Sequence, residues 1–80
     1  MPLILYQRDD CQLCDEALAV LATAGVPDFR SVWIDGDAEL EQKYGARVPV
    51  LHDDGTGQEL DWPFDIVDVK RLLAECKTGR

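Results

Sequence analysis

The chain has 80 residues, 46% hydrophobic and 30% charged, which suits one small globular core and excludes both a two-domain enzyme and a disordered chain. Sixteen acidic against eight basic residues give a net charge of −8, which argues against a nucleic-acid partner, since phosphate binding rests on Lys and Arg displacing counterions. No stretch reaches the ~20 apolar residues of a membrane span, and Leu3-Ile4-Leu5-Tyr6 meets Arg8 and Asp9 too soon for a secretory signal, so no membrane partner is expected and the expected location is cytoplasmic.

Leu3 to Tyr6 is an apolar run of strand length, closed by Gln7-Arg8-Asp9-Asp10, and suits a strand covered on both faces. Leu13, Ala17, Val20, Leu21 and Ala24 then recur at helical spacing, with Asp10 as the expected N-cap and Gly25 as the stop. Phe29 to Ile34 brings Val32, Trp33 and Ile34 together and predicts a second strand before the turn residues Asp35-Gly36-Asp37. Asp37 can cap a short helix through Tyr44, with Leu40 and Tyr44 inward and Gly45 beyond its end.

Val48-Pro49-Val50-Leu51 begins another extended run, Asp53-Asp54-Gly55-Thr56-Gly57 supplies a turn, and Gln58-Glu59-Leu60 returns as its hairpin partner. Trp62-Pro63-Phe64 is an apolar connector. A last helix is predicted from Asp65, its expected N-cap, with Ile66, Val69, Leu72, Leu73 and Cys76 as the inward stripe. The order is β-α-β-α-β-β-α over residues 1–80, one domain without linker or repeat. A β-α-β crossover requires a parallel strand pair and the tight turn requires an antiparallel one, so the four-stranded sheet is expected to be mixed, with helices on both faces of an α/β layer fold.

Chemistry concentrates at Cys11-Gln12-Leu13-Cys14, where the first strand passes into the first helix. A sulfur at a helix start lies near unpaired N–H groups and the positive end of the helix dipole, which favour thiolate over thiol. Cys14, one turn further in, can close a disulfide with Cys11. The expected labour is divided: Cys11 attacks a substrate disulfide and Cys14 resolves the mixed disulfide. Two other readings stand beside this one, a metal site and a pair of inert small side chains. Zinc asks for four ligands, and only His52 and Cys76 remain, far off in the chain, so no metal ligands are assigned. His52 is read as a sheet-face residue, Cys76 as a packed small hydrophobe, and Tyr6, Trp33 and Tyr44 as packing residues.

Arg8 ahead of Cys11, the Cys11-Gln12-Leu13-Cys14 pair, Val48-Pro49 before a hairpin and the closing helix resemble a glutaredoxin of the thioredoxin superfamily, nearest the short glutaredoxin-like proteins of bacteria. The resemblance implies a thioredoxin-like three-layer fold, Cys11 as nucleophile, Cys14 as resolving thiol, and a cis peptide at Pro49 placed beside the pair. Arg8, Arg47, Val48 and Pro49 are then the candidate substrate-binding residues, with Arg47 either meeting a carboxylate or lying solvated. Gln12-Leu13 stands where glutaredoxins usually carry Pro and an aromatic residue, and Leu60-Asp61-Trp62-Pro63 where they usually carry Gly-Gly. Glutathione is therefore expected to be a poor partner. The expected function is a small thiol-disulfide oxidoreductase acting on protein disulfides or thiols, without a metal or organic cofactor. A thioredoxin-fold binding or redox-sensing module is the alternative.

Overall fold

Alternation within Leu3–Gln7 sets the architecture, because this strand, β1, lies inside the sheet and sends successive side chains to opposite faces. The computed structural model describes residues 3–26 and 28–78, with side chains described as far as residue 74. After β1 come α1 (Gln12–Ala24), β2 (Arg30–Trp33), α2 (Ala38–Tyr44), β3 (Val50–Asp53), β4 (Glu59–Asp61) and α3 (Ile66–Thr78). The strands lie in the order β2-β1-β3-β4. β1 is parallel to β2 and antiparallel to β3, which is antiparallel to β4. The sheet is mixed, and the element order is the expected one.

Two apolar clusters divide the layers. Leu3, Leu5 and Leu51 on one face of the sheet pack with Ala17 and Leu21 of α1 and Val69 and Leu72 of α3. On the opposite face Val50 meets Ile34 and Tyr44, with Tyr6, Leu40 and Val48 packed around them. The short helix α2 thus covers its face with two inward residues, as its thin stripe predicts. Fully burying one Leu or Val contributes about 1.5–3 kcal/mol, so the larger α1–α3 cluster is the main core. α1 ends at Gly25, whose φ of 77° is left-handed and whose N–H reaches the carbonyls of Ala22 and Leu21.

The structure differs from the sequence expectation at three places. The N-cap of α1 is Cys11 rather than Asp10; Asp10 takes a left-handed φ of 53° instead, a conformation that Asp tolerates and that turns the chain before the helix begins. Trp33 is 50% exposed and Leu13 is 45% exposed, so neither is a core residue. Ile34, directly after Trp33, takes the buried position because the strand geometry turns neighbours apart. The side chain of Cys76, expected to be buried, lies outside the described residues.

Candidate active site

The turn that opens α1 is built from backbone first. β1 ends at Gln7, and the N–H of Asp9 donates to Asp35 Oδ2 at 2.8 Å, tying this turn to the loop after β2. Asp10 bends the chain, and Cys11 enters with extended backbone at φ −113° and ψ 104°. Its Sγ accepts the N–H of Cys14 at 3.1 Å, satisfying one of the amides that every helix start leaves open. Cys11 and Cys14 are joined by a disulfide, their Cα atoms 5.2 Å apart. Cys14 is 2% exposed, whereas Cys11 keeps part of its surface in solvent. Of the two cysteines, Cys11 is therefore the more open to solvent.

The segment leading into β3 reaches the same end of the sheet. Val48-Pro49 is a cis peptide, Pro49 is buried and Val48 half-buried. Val50 pairs with Tyr6, so the antiparallel start of β3 lies against the end of β1, from which the chain runs on to Cys11. Arg8 joins the two segments, its Nη2 donating to the carbonyl of Gly45 at 3.1 Å. Cys11, Cys14, Arg8, Val48 and Pro49 consequently belong to one end of the sheet. Arg8 is occupied by a backbone carbonyl there.

Gly45 is held in a tight position by the same contact. A Cβ added at Gly45 would run into the backbone carbonyl of Glu41 and come within 3.3 Å of Arg8 Nη2. Gly45→Ala is expected to lower folding stability by about 1–3 kcal/mol, the usual cost of forcing extra bulk into a packed site. Urea unfolding reads this directly; an unchanged midpoint would show that the segment yields freely.

Arg47 reaches towards β4. Its Nη2 lies 2.7 Å from both Glu59 Oε1 and Asp61 Oδ1, and its Nε donates to Asp61 at 3.2 Å. Of the two sequence alternatives the guanidinium takes the first, meeting carboxylates of its own chain. The hydrogen bonds it donates to Asp61 and then to Glu59 raise its pKa further.

Glu59 carries a role that the sequence did not reveal. Its carboxylate also accepts from Tyr44 Oη at 2.5 Å and contacts His52 Nδ1 at 3.0 Å. Burial favours its neutral form, yet the hydrogen bonds of Tyr44, Arg47 and His52 and the Arg47 charge outweigh burial and hold its pKa at about 2. The same arrangement pushes the Tyr44 phenol upward, first by burial and then by its bond to that carboxylate. The Tyr44 ring stacks on Tyr6 at 4.3 Å. Glu59 thus braces the end of α2, Arg47 before the cis peptide, and β3. The available signal was register: His52 faces Glu59 and Val50 faces Asp61 across the hairpin, which places both acids on the face covered by α2. Trp62-Pro63 is a second cis peptide, with Trp62 set edge-on to Phe64 at 5.1 Å.

Comparison with known proteins agrees with this geometry. Residues 2–74 match the family described as glutaredoxin-like domain (DUF836). The X-ray structure of the X. campestris protein XcR50 is 57% identical, with a TM-score of 0.85 over 90% of this chain and 95% of that one. The solution structure of XcR50 gives 57% identity and a TM-score of 0.84 over 92% and 94% of the two chains. The Nitrosomonas europaea protein Ne2328 is 29% identical, with a TM-score of 0.74 over 89% of this chain and 88% of its own. No curated protein sequence matches significantly.

Proposed function

The chain belongs to the glutaredoxin-like domain family, and from that membership we propose that it is a thiol-disulfide oxidoreductase acting on protein disulfides. The observation that carries the reading is the unequal pair: Cys11, partly exposed at a helix N-cap, bonded to Cys14, buried one turn further in. In the dithiol form, Cys11 thiolate attacks one sulfur of a substrate disulfide. That S–S bond breaks, the other substrate sulfur leaves as thiolate, and a mixed disulfide forms on Cys11. Cys14, losing its proton to solvent, then attacks the Cys11 sulfur, releases the second substrate thiolate and closes the Cys11–Cys14 disulfide. Two electrons pass to the substrate, and an external dithiol or two thiols restore the reduced protein.

Val48 and Pro49 serve as the wall along which an extended segment lies, and Arg8 serves to hold that wall to the cysteine turn. Glutathione is a poor substrate in this reading. It carries a net charge of about −1 and meets carboxylates around α1, while Arg47 is already paired with Glu59 and Asp61.

Equilibration in dithiothreitol buffers, followed by mass measurement after thiol capping, tests the proposal. A single reversible two-electron transition between Cys11 and Cys14 is expected. A pair that fails to re-form its disulfide on reoxidation would leave the chain a binding module.

A further inference from the structure

Among the described residues the large apolar side chains left exposed are Leu13, Trp33 and Val67. Leu13 lies between the two cysteines. Trp33 ends β2 in register with Gln7, the last residue of β1, and the next N–H, that of Ile34, donates to the Gln7 carbonyl at 2.9 Å. The bond from Asp9 N–H to Asp35 closes the same end of the sheet. Leu13, in the first turn of α1, and Trp33, at the end of β2, therefore both belong to the end of the sheet at which the chain turns to Cys11.

The exposed charge at this end is mostly negative. Asp9, Asp10, Asp15, Glu16, Asp35 and Asp37 are all exposed, while Arg8 is turned to the Gly45 carbonyl and Arg30 pairs with Ile4 at the far end of β2. We propose that Leu13 and Trp33, set within this carboxylate rim, form a docking surface for a cationic, apolar segment of a client protein whose disulfide is presented to Cys11. The inference rests on the oxidoreductase reading and specifies its substrate class. A small thiol is too small to cover both side chains, whereas a peptide segment covers apolar area at each and meets the rim with Lys or Arg. Opposite charge raises the rate of encounter and sets orientation, and salt suppresses both effects.

The test uses two synthetic peptide disulfides of equal length, one with Leu and Lys flanking the cystine and one with Leu and Glu, together with a small neutral disulfide. At low salt the reduced protein is expected to favour the Lys peptide by at least about tenfold in kcat/KM, within the range of electrostatic steering, and the preference should collapse at high salt. Trp33→Ala, an exposed position at which folding can be checked by urea titration, is expected to raise KM for the Lys peptide several-fold with kcat little changed. The paired change Asp15→Asn with Glu16→Gln is expected to narrow the preference and flatten its salt dependence. Equal rates for the two peptides, with the small disulfide still reduced, would overturn the docking surface and leave the oxidoreductase reading standing. Reduction of none of the three would overturn both.

Discussion

Replacing Cys14 with Ser is expected to arrest the protein as a mixed disulfide on Cys11 and to bring multiple turnover on protein disulfides down to the uncatalysed rate. The first exchange needs only the sulfur of Cys11, the more exposed of the two cysteines, so substrate still attaches. Release needs a second thiol next to that sulfur, and Cys14 is the residue whose sulfur bonds to it. A Ser hydroxyl cannot take its place, because it neither forms a disulfide nor ionises near neutral pH. The fold should survive, since the change replaces sulfur by oxygen at a 2% exposed position, with a cost of about 1–3 kcal/mol for a buried hydroxyl short of a partner. Mass spectrometry of the variant after incubation with a disulfide-bonded protein gives the answer. Full turnover without an adduct would mean that Cys11 acts without a resolving partner in this chain. Cys11→Ser should abolish attachment altogether.

The second large effect concerns stability. Glu59→Ala removes one carboxylate from three partners, Tyr44, Arg47 and His52. Tyr44 is 1% exposed, so its hydroxyl loses its acceptor where water cannot readily replace it, and a loss of about 2–4 kcal/mol is expected from the unsatisfied groups together. The pH dependence has a definite sign. The Glu59 pKa falls from an ordinary 4.5 to about 2 on folding, so between these values the unfolded chain binds more protons and stability rises with pH. The contribution is present above about pH 4.5 and is lost as the pH falls through about 2. At roughly 1.4 kcal/mol per pKa unit the shift corresponds to about 3 kcal/mol, of the same order as the expected loss. Urea titrations of wild type and Glu59→Gln at several acid pH values measure it: the difference between the two should shrink on acidification. A constant difference would place the stabilisation in packing instead of charge.

The features that proved legible in the sequence are those written in local pattern. Leu3-Ile4-Leu5-Tyr6 needed only its length and apolar run, α1 needed its inward Ala17, Leu21 and Ala24 and its Gly25 stop, and the hairpin needed the turn at residues 53–57. The cis peptide before Pro49 came from family resemblance, because most X–Pro bonds are trans and spacing does not distinguish them. Less was visible where the deciding contact lies far away in sequence. Asp10 has a good capping side chain, yet the position itself belongs to Cys11 because Asp10 is spent on the turn. Trp33 carries strong β propensity and reads as core, but propensity does not say which face of an edge strand remains uncovered. Arg47 and Glu59 are 12 residues apart, and only the hairpin register brings them together.

The cap of α1 joins two equilibria usually treated separately. The Cys11 sulfur that changes oxidation state also holds the Cys14 amide at the helix start, and a thiolate accepts such a bond more strongly than a disulfide sulfur. Whatever free energy reduction gains by tightening that cap appears, by thermodynamic linkage, as a shift of the couple towards the oxidising side, with about 1.4 kcal/mol equal to 30 mV for two electrons. The converse follows from the same cycle: fraying the first turn of α1 would tune the potential without altering either sulfur, so that the strength of a helix end becomes a redox parameter of the protein.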